Sequence, residues 1–482
     1  MPVTIAALPY DILYKIFEHA AFMNDFYAHK WKKRLELLAV CSGWRKIALD
    51  IVYRHSGVTY GDSEWPFAEV TENTQADEPK FEELETNVDL IGQLGLSHLV
   101  KRLDLTIYHF TNPLIVDHMQ LLLPNVISLI SWTNSNNSLV RKIVGELADR
   151  YSEQITHINT NHQLQTWSPR EFSKLRYLKI NLEHMAACQY STVLPSTLVS
   201  LFLRNIQPSN EWGIFGNDKQ YLEFANLKTL DIRYSFLESN EFLETRLGAP
   251  KRTLYFPQLE NLLLFGNSID SPVLRHSIFP KKIKYLEIKS YKNVVDTASK
   301  VNLPKAEALS MSLNYNQYNK HINILSAINK LAELADNVLA TDLNITEPIS
   351  INSFGNTICT FITNLRVSSL VDDKIAIKLL QACPNAVKLC LYQVKVEGSE
   401  DTTKYTIDEH ASAIDPIHPS LENATIQFVH TADNNSNAIE FAKYLLIRLS
   451  VLNTAIFSGI PTKPLREFRD MYSTAHPHLQ AL

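Results

Sequence analysis

The chain has 482 residues, of which 45% are apolar and 20% are charged, a composition typical of globular rather than disordered proteins. Its formal net charge of −5 argues against non-specific binding to nucleic acid, which depends on a positive surface. Only 13 residues are glycine, and neither Gly-x-Gly-x-x-Gly nor Gly-x-x-x-x-Gly-Lys-Ser/Thr occurs, so a glycine-rich phosphate-binding loop is not expected.

The sequence also bears on the compartment. No apolar run approaches the roughly 18 residues that span a bilayer, and the first seven residues contain no basic region of the kind that opens a secretory signal. The five cysteines are spread out and form no Cys-x-x-Cys pair, which favours reduced thiols in an intracellular protein. We therefore expect a protein of the cytoplasm or nucleus, without a membrane partner.

Residues 1–57 are predicted to form a compact helical module. Apolar residues at positions 8, 12, 13, 16, 17 and 20 make one helical stripe, and Pro9 stands in the first turn, where a helix tolerates proline. A second apolar stripe covers positions 37, 38, 40, 41, 44, 47 and 48. About forty helical residues are too few for a large core, so this module must bury its surplus apolar surface against its own chain or against another protein.

The residues in these two stripes carry a family resemblance. Leu-Pro-x-x-Ile-Leu-x-x-Ile-Phe at 8–17, followed by Leu-Leu-x-Val-Cys-x-x-Trp-Arg-x-Ile-Ala at 37–48, resembles the F-box. The resemblance implies a three-helix module that docks on the Skp adaptor, which links it to a cullin–RING ubiquitin ligase. Carried over position by position, it implies adaptor contacts by Leu8, Pro9, Ile12, Leu13, Ile16, Phe17, Val40, Cys41 and Trp44. An alternative is that these helices only cap the first downstream repeat.

Residues 58–94 are predicted to form an acidic connecting segment. Ten Asp or Glu residues and a single lysine, Lys80, lie between positions 61 and 90. A like-charged stretch with little glycine is typical of a solvated loop or insertion.

Residues 95–482 contain a recurring pattern, apolar-x-x-apolar-x-apolar, which we call the anchor pattern. Its central anchors are Leu103, Leu129, Ile158, Leu178, Leu201, Leu230, Leu262, Leu286, Leu309, Leu343, Leu365, Leu389, Ala424 and Ala455. Prolines precede several copies, and helix-like segments at 137–152, 322–335, 374–382 and 439–449 lie between others. One strand plus one helix every 20–35 residues is typical of a leucine-rich-repeat-like array, although an ordinary α/β domain is the alternative.

The sequence therefore predicts an α/β protein, with an N-terminal three-helix F-box module followed by a degenerate leucine-rich-repeat-like αβ solenoid with a curved parallel sheet. The residues that alternate with the last two anchors point to the opposite face of each strand. They mix both charges with aromatic and apolar groups, as protein-recognition surfaces do. The candidates for substrate binding are Tyr177, Lys179, Phe202, Asp231, Leu263, Tyr285, Glu287, Arg366 and Lys388.

No catalytic pattern accompanies this array. The sequence contains no Gly-x-Ser-x-Gly and no His-Glu-x-x-His, and its sixteen histidines show no metal-ligand spacing. We expect no catalytic residues, no metal and no cofactor. The predicted function is the substrate-recognition subunit of a Skp–cullin–F-box ubiquitin ligase. The alternative is a repeat-based interaction scaffold with an F-box-like helical cap and no role in ubiquitination.

Overall fold

The fold was analysed in a computed structural model of the full chain. The structure describes residues 12, 45, 47, 58–60, 95, 97–105, 123–131, 138–160, 172–181, 194–206, 221–234, 253–265, 274, 276–290, 303–315, 324–345, 357–396, 418, 420–429, 435–449, 452–461, 463, 464, 466 and 467. The chain divides into two compact units, Met1–Leu227 with Ser239–Ala249 and Lys228–Glu238 with Pro250–Leu482. Each described unit carries a parallel sheet, so the predicted α/β class with a large parallel sheet is confirmed.

The first unit contains six parallel strands that lie side by side in chain order: β1 (Val58–Tyr60), β2 (Arg102–Leu105), β3 (Ser128–Ser131), β4 (His157–Thr160), β5 (Tyr177–Asn181) and β6 (Ser200–Ile206). It also contains a 3-10 helix (Ser97–Leu99), helix α1 (Ser138–Arg150) and the short strand β7 (Tyr221–Glu223). Strand β1 lies inside the segment that was predicted to be only a connection. The Val-Thr-Tyr sequence explains this difference, because β-branched and aromatic side chains favour a strand.

The second unit's main sheet contains β8 (Thr229–Tyr234), β10 (Asn261–Phe265), β12 (Lys282–Ser290), β13 (Lys305–Tyr315), β14 (Ala335–Ile345), β15 (Asn364–Asp372), β16 (Lys388–Lys395), β17 (Asn423–Phe428) and β18 (Thr454–Ser458). These strands are parallel, and they are adjacent in that order. The unit's helices are α2 (Ile324–Ala332), α3 (Asp373–Ala382) and α4 (Asn435–Arg448).

Two connections of the second unit contain short strands among their described residues, β9 (Thr253–Tyr255) and β11 (Ser277–Ile278), which pair in parallel. Leu254 and Phe256 from this extended segment are fully buried. This extended segment therefore contributes apolar side chains to the core of the second unit.

The central anchors stand opposite one another from strand to strand. In the first unit, Leu103, Leu129, Ile158, Leu178 and Leu201 pair in succession, and all are at most 1% exposed. In the second unit, Leu230, Leu262, Leu286 and Leu309 form one such row. A second row contains Leu343, Leu365, Leu389, Ala424 and Ala455. Each row is a continuous line of buried apolar side chains, which stabilises the parallel pairing.

These two rows of the second unit are not continuous with each other. Leu343 pairs with Leu313, whereas Leu309 pairs with Val338, and the register shifts at Leu309/Ser310. The prediction that Leu309 and Leu343 occupy equivalent positions is therefore wrong. Both β13 and β14 are 11 residues long, and β14 buries side chains only in its second half, at Thr341, Leu343 and Ile345, beyond the register shift.

A backbone hydrogen-bond motif repeats just before the strands. The residue two positions before a central anchor uses its carbonyl oxygen to accept hydrogen bonds from the backbone N–H groups of two consecutive residues in the next repeat. For example, the carbonyl of Arg176 accepts from Val199 and Ser200 at 2.7 and 2.9 Å, and that of Lys228 accepts from Glu260 and Asn261, both at 2.8 Å. The motif satisfies the backbone at each strand entry, where an orphaned polar group would be costly.

Candidate recognition surface

The nine predicted substrate-binding residues all alternate with buried anchors on their strands. We call the side of a main-sheet strand that carries these alternating residues the outward face. In β5, for instance, Leu178 and Ile180 are buried, while Tyr177, Lys179 and Asn181 are half-buried. The period-2 geometry of a strand therefore separates the core side chains from the candidate recognition side chains.

In the first unit, three aromatic rings line up across the outward face. The rings of His157 and Tyr177 stack with centroids 5.7 Å apart, and those of Tyr177 and Phe202 lie 5.1 Å apart. Burial, with a smaller contribution from the charge of Arg176, lowers the pKa of His157, so its imidazole is neutral at pH 7. Lys179 pairs in register with Phe202 beside this stack. The structure therefore brings the candidates Tyr177, Lys179 and Phe202 together beside a line of aromatic rings.

In the second unit, Asp231, Leu263 and Glu287 form one row across β8, β10 and β12. Asp231 is only 1% exposed, and Arg233, on the same strand, holds its carboxylate with two hydrogen bonds. Tyr285, the remaining candidate from these strands, lies in a separate row opposite Asn261. Asp231 is thus a buried acceptor that positions an arginine, rather than an accessible contact residue.

The neighbouring row contains residues that sequence reasoning missed. Arg233, Phe265 and Lys289 pair in register, and both cations lie over the Phe265 ring, 3.7 Å from its centroid for the Arg233 guanidinium carbon and 4.9 Å for Lys289 Nζ. Lys289 Nζ also lies 2.6 Å from a carboxylate oxygen of Glu287. The candidates were chosen only up to the last anchor of each strand, although β8, β10 and β12 continue the alternation beyond it. That continued alternation was the available signal.

Arg366 and Lys388, the last two candidates, lie on the adjacent strands β15 and β16. A terminal nitrogen of Arg366 donates to the hydroxyl of Tyr392 at 2.9 Å, and its guanidinium carbon is 5.3 Å from the centroid of that ring. Lys388 pairs with Asn364 on one side and with Asn423 on the other. Asn364 in turn donates to the carboxylate of Asp342. Both cations are solvent-exposed.

Among the predicted adaptor-contacting residues, the structure describes Ile12 alone. Ile12 is helical and 45% exposed, whereas Ile47, a helical residue of the second stripe, is 6% exposed. The other predicted adaptor contacts lie outside the described residues: Leu8, Pro9, Leu13, Ile16, Phe17, Val40, Cys41 and Trp44.

Three side chains of reactive types in the described part of the chain, Cys359, Cys383 and His418, are buried. Burial raises the pKa of the Cys359 and Cys383 thiols, which keeps both in the unreactive protonated form. His418 is fully buried, its Nε2 lies 2.6 Å from the carbonyl oxygen of Cys383, and its Nδ1 accepts from the backbone N–H of Ser420. Within the described ranges, no group of three or more His, Cys, Asp or Glu residues could hold a metal ion, and no helix is long and apolar enough to cross a membrane.

Comparison with known proteins does not assign the chain to a family. No protein-family model matches the chain, and no curated protein matches it at a significant level.

Proposed function

We propose that this protein is the substrate-recognition subunit of a Skp–cullin–F-box ubiquitin ligase. The observation that carries the proposal is the F-box-like order of residues over 8–48 in the same chain as parallel strands with one apolar and one mixed face. Exposure of Ile12, a position that the resemblance assigns to the adaptor interface, supports the same function. In this proposal residues 1–57 are a three-helix F-box module, and each sheet is a stretch of leucine-rich-repeat-like array.

The mechanism in this proposal is proximity. The outward face holds a protein substrate while the F-box module joins the adaptor, so that the lysines of the substrate reach a high local concentration beside the ubiquitin carrier. Such a subunit needs no catalytic residue, metal or cofactor of its own, and it acts in the cytoplasm or nucleus.

Coexpression with the Skp adaptor and a cullin tests the proposal. We expect the full chain to copurify with both proteins. Ile12→Asp should reduce copurification at least tenfold, because it places a charge in an apolar interface. The double variant Leu8→Asp with Pro9→Ala should do the same. The matched control is Ile358→Asp, which changes a different exposed isoleucine of the second unit and should bind as the wild type does.

Two outcomes would contradict the proposal. Failure of the wild-type chain to copurify with the adaptor would remove its basis. Binding of the adaptor without recruitment of the cullin would instead support the interaction-scaffold alternative, in which the helices have no role in ubiquitination.

A further inference from the structure

Arg366 and Lys388 are exposed cations on the outward face of the second unit and have no carboxylate partner among the described residues. Within the described ranges, no Asp or Glu oxygen lies within 4 Å of the charged groups of Arg366 or Lys388. Two other cations of this face differ, because Arg233 pairs with Asp231 and Lys289 pairs with Glu287. Asp342, the nearest acidic group in the Lys388 row, is separated from it by Asn364, which hydrogen-bonds to it.

The strand register fixes the backbone positions from which the two cationic side chains project. Arg366 stands directly opposite Cys390, and Lys388 is two residues before Cys390 on the same face of β16. Such diagonal neighbours on adjacent strands have a separation of about 7–8 Å. Alternate side chains of an extended peptide repeat at about 6.6 Å, because each residue advances about 3.3 Å. The two backbone spacings are similar, so two alternate side chains of one extended segment can approach these two long, exposed side chains.

The arginine is also held in place for such a contact. Its hydrogen bond to the Tyr392 hydroxyl and its position near that ring restrain the guanidinium, so binding an anion costs less side-chain entropy. Asn423 and Thr425, which pair in register with Lys388 and Cys390, flank the cations and are half-buried on the same face. Amide and hydroxyl groups beside a cation pair suit a polar peptide rather than an apolar helix.

We propose that Arg366 and Lys388 bind an extended acidic peptide segment of the substrate, with carboxylate side chains at alternate positions. This inference rests on the proposed function, since it names the kind of segment that the receptor would hold. Tyr392 is a positioning residue that orients Arg366.

Fluorescence anisotropy with the purified complex of full chain and adaptor tests this inference. The probe is a labelled ten-residue peptide in which Glu alternates with Thr. Its comparison peptides carry Gln in place of Glu, the same number of Glu residues in one block, or phosphoserine in place of Glu. We expect the alternating Glu peptide to bind, the Gln peptide not to bind, the block peptide to bind more weakly, and added salt to weaken binding.

Substitutions test whether the peptide binds at Arg366 and Lys388. Arg366→Ala and Lys388→Ala should each weaken binding about fivefold to tenfold, and the double reversal Arg366→Glu with Lys388→Glu should abolish it. Tyr392→Phe should weaken binding by less than Arg366→Ala does, because the ring remains while the orienting hydroxyl is lost. The matched control is Lys395→Ala, which removes another exposed lysine of β16 and should change affinity less than twofold.

Distinct results would overturn the inference. It fails if the alternating Glu peptide does not bind, if the double reversal leaves its binding unchanged, or if Lys395→Ala weakens binding as much as Lys388→Ala does. Tighter, Arg366-dependent binding of the phosphoserine peptide would assign the site to phosphate instead of carboxylate. Each variant is checked for thermal unfolding and for adaptor copurification, so a complex that retains the adaptor but not the peptide contradicts this inference alone.

Discussion

Arg233 holds Asp231 with a bidentate hydrogen bond, from Nε to Oδ1 at 3.0 Å and from Nη2 to Oδ2 at 2.9 Å. The carboxylate side chain is 1% exposed, whereas the arginine side chain is 32% exposed and covers it from the solvent side. Phe265 then packs against the guanidinium, with 3.7 Å between the guanidinium carbon and the ring centroid. A buried acid thus fixes the plane of a cation on the outward face, which pre-organises that part of the surface.

Removal of this arginine should destabilise the protein. Arg233→Met keeps much of the side-chain volume but leaves the Asp231 carboxylate buried without its charge partner. Breaking a fully buried pair costs about 3–5 kcal/mol, and because Arg233 is partly solvated we expect about 2–3 kcal/mol here. Urea unfolding followed by circular dichroism measures the change. Adding Asp231→Leu to the variant should recover most of the loss, and a double variant no more stable than Arg233→Met would contradict the explanation.

The two faces of β10 should respond differently to the same truncation. Leu262 is 0% exposed, whereas its neighbour Leu263 is half-buried on the outward face. Leu262→Ala should reduce the free energy of unfolding by about 2–5 kcal/mol, because it leaves a cavity in the core. Leu263→Ala is the matched control and should cost about 1 kcal/mol or less. Equal losses in the two variants would show that the assignment of faces is wrong.

The sequence alone predicted the rows of central anchors well, because their physical cause is local. A side chain two residues away on a strand returns to the same face, so a buried face must repeat apolar residues at that spacing. Leu178 and Leu201, 23 residues apart in the chain, pair directly for this reason. The pattern did not predict that the row of paired anchors is interrupted between Leu309 and Leu343. A change of register depends on strand length and on a bulge, and no residue type in the sequence indicates such a bulge.

The sequence pattern also did not predict the polar contacts between repeats. Side chains four residues before a central anchor donate to backbone carbonyls of the preceding repeat. Examples are Asn125 to His98, Gln154 to Pro124, Thr197 to Leu175, Asn226 to Ser196 and Asn385 to Thr360. Asn, Gln and Thr all supply a donor of suitable reach, so the position is chemically constant while its residue type varies.

The stability of the second unit should fall in mild acid because of His418. Burial lowers the pKa of this histidine, while its hydrogen bond to the Cys383 carbonyl acts in the opposite direction. Its Nδ1 accepts from the Ser420 N–H only in the neutral form. A histidine whose folded pKa is below the unfolded value of about 6.5 stabilises the protein fully above pH 6.5, and this contribution is lost as the pH falls through the folded pKa. Urea midpoints measured at pH 7.5 and 5.0 should therefore decrease with acidification.

A variant separates this effect from general acid sensitivity. His418→Gln keeps an amide donor in reach of the Cys383 carbonyl but does not titrate, so its urea midpoint should depend less on pH than that of the wild type. The control is His98→Gln, which changes an exposed histidine. An unchanged pH dependence in His418→Gln would mean that other groups, including His157, account for the acid response.

Two glycines with positive φ should differ in how they tolerate alanine. Gly459 has a φ of +84°, and a Cβ at this position would overlap the backbone carbonyl oxygen of Phe428 and lie 3.1 Å from its carbon. Gly459→Ala should therefore destabilise the protein by about 2–3 kcal/mol or more, because both the left-handed backbone and the overlap are unfavourable. Gly95 has a φ of +65° with no atom within 4 Å of the added Cβ, so Gly95→Ala should cost only about 1 kcal/mol. Thermal unfolding of both variants measures the difference, and a Gly459→Ala protein as stable as Gly95→Ala would show that the turn after β18 can move away from Phe428.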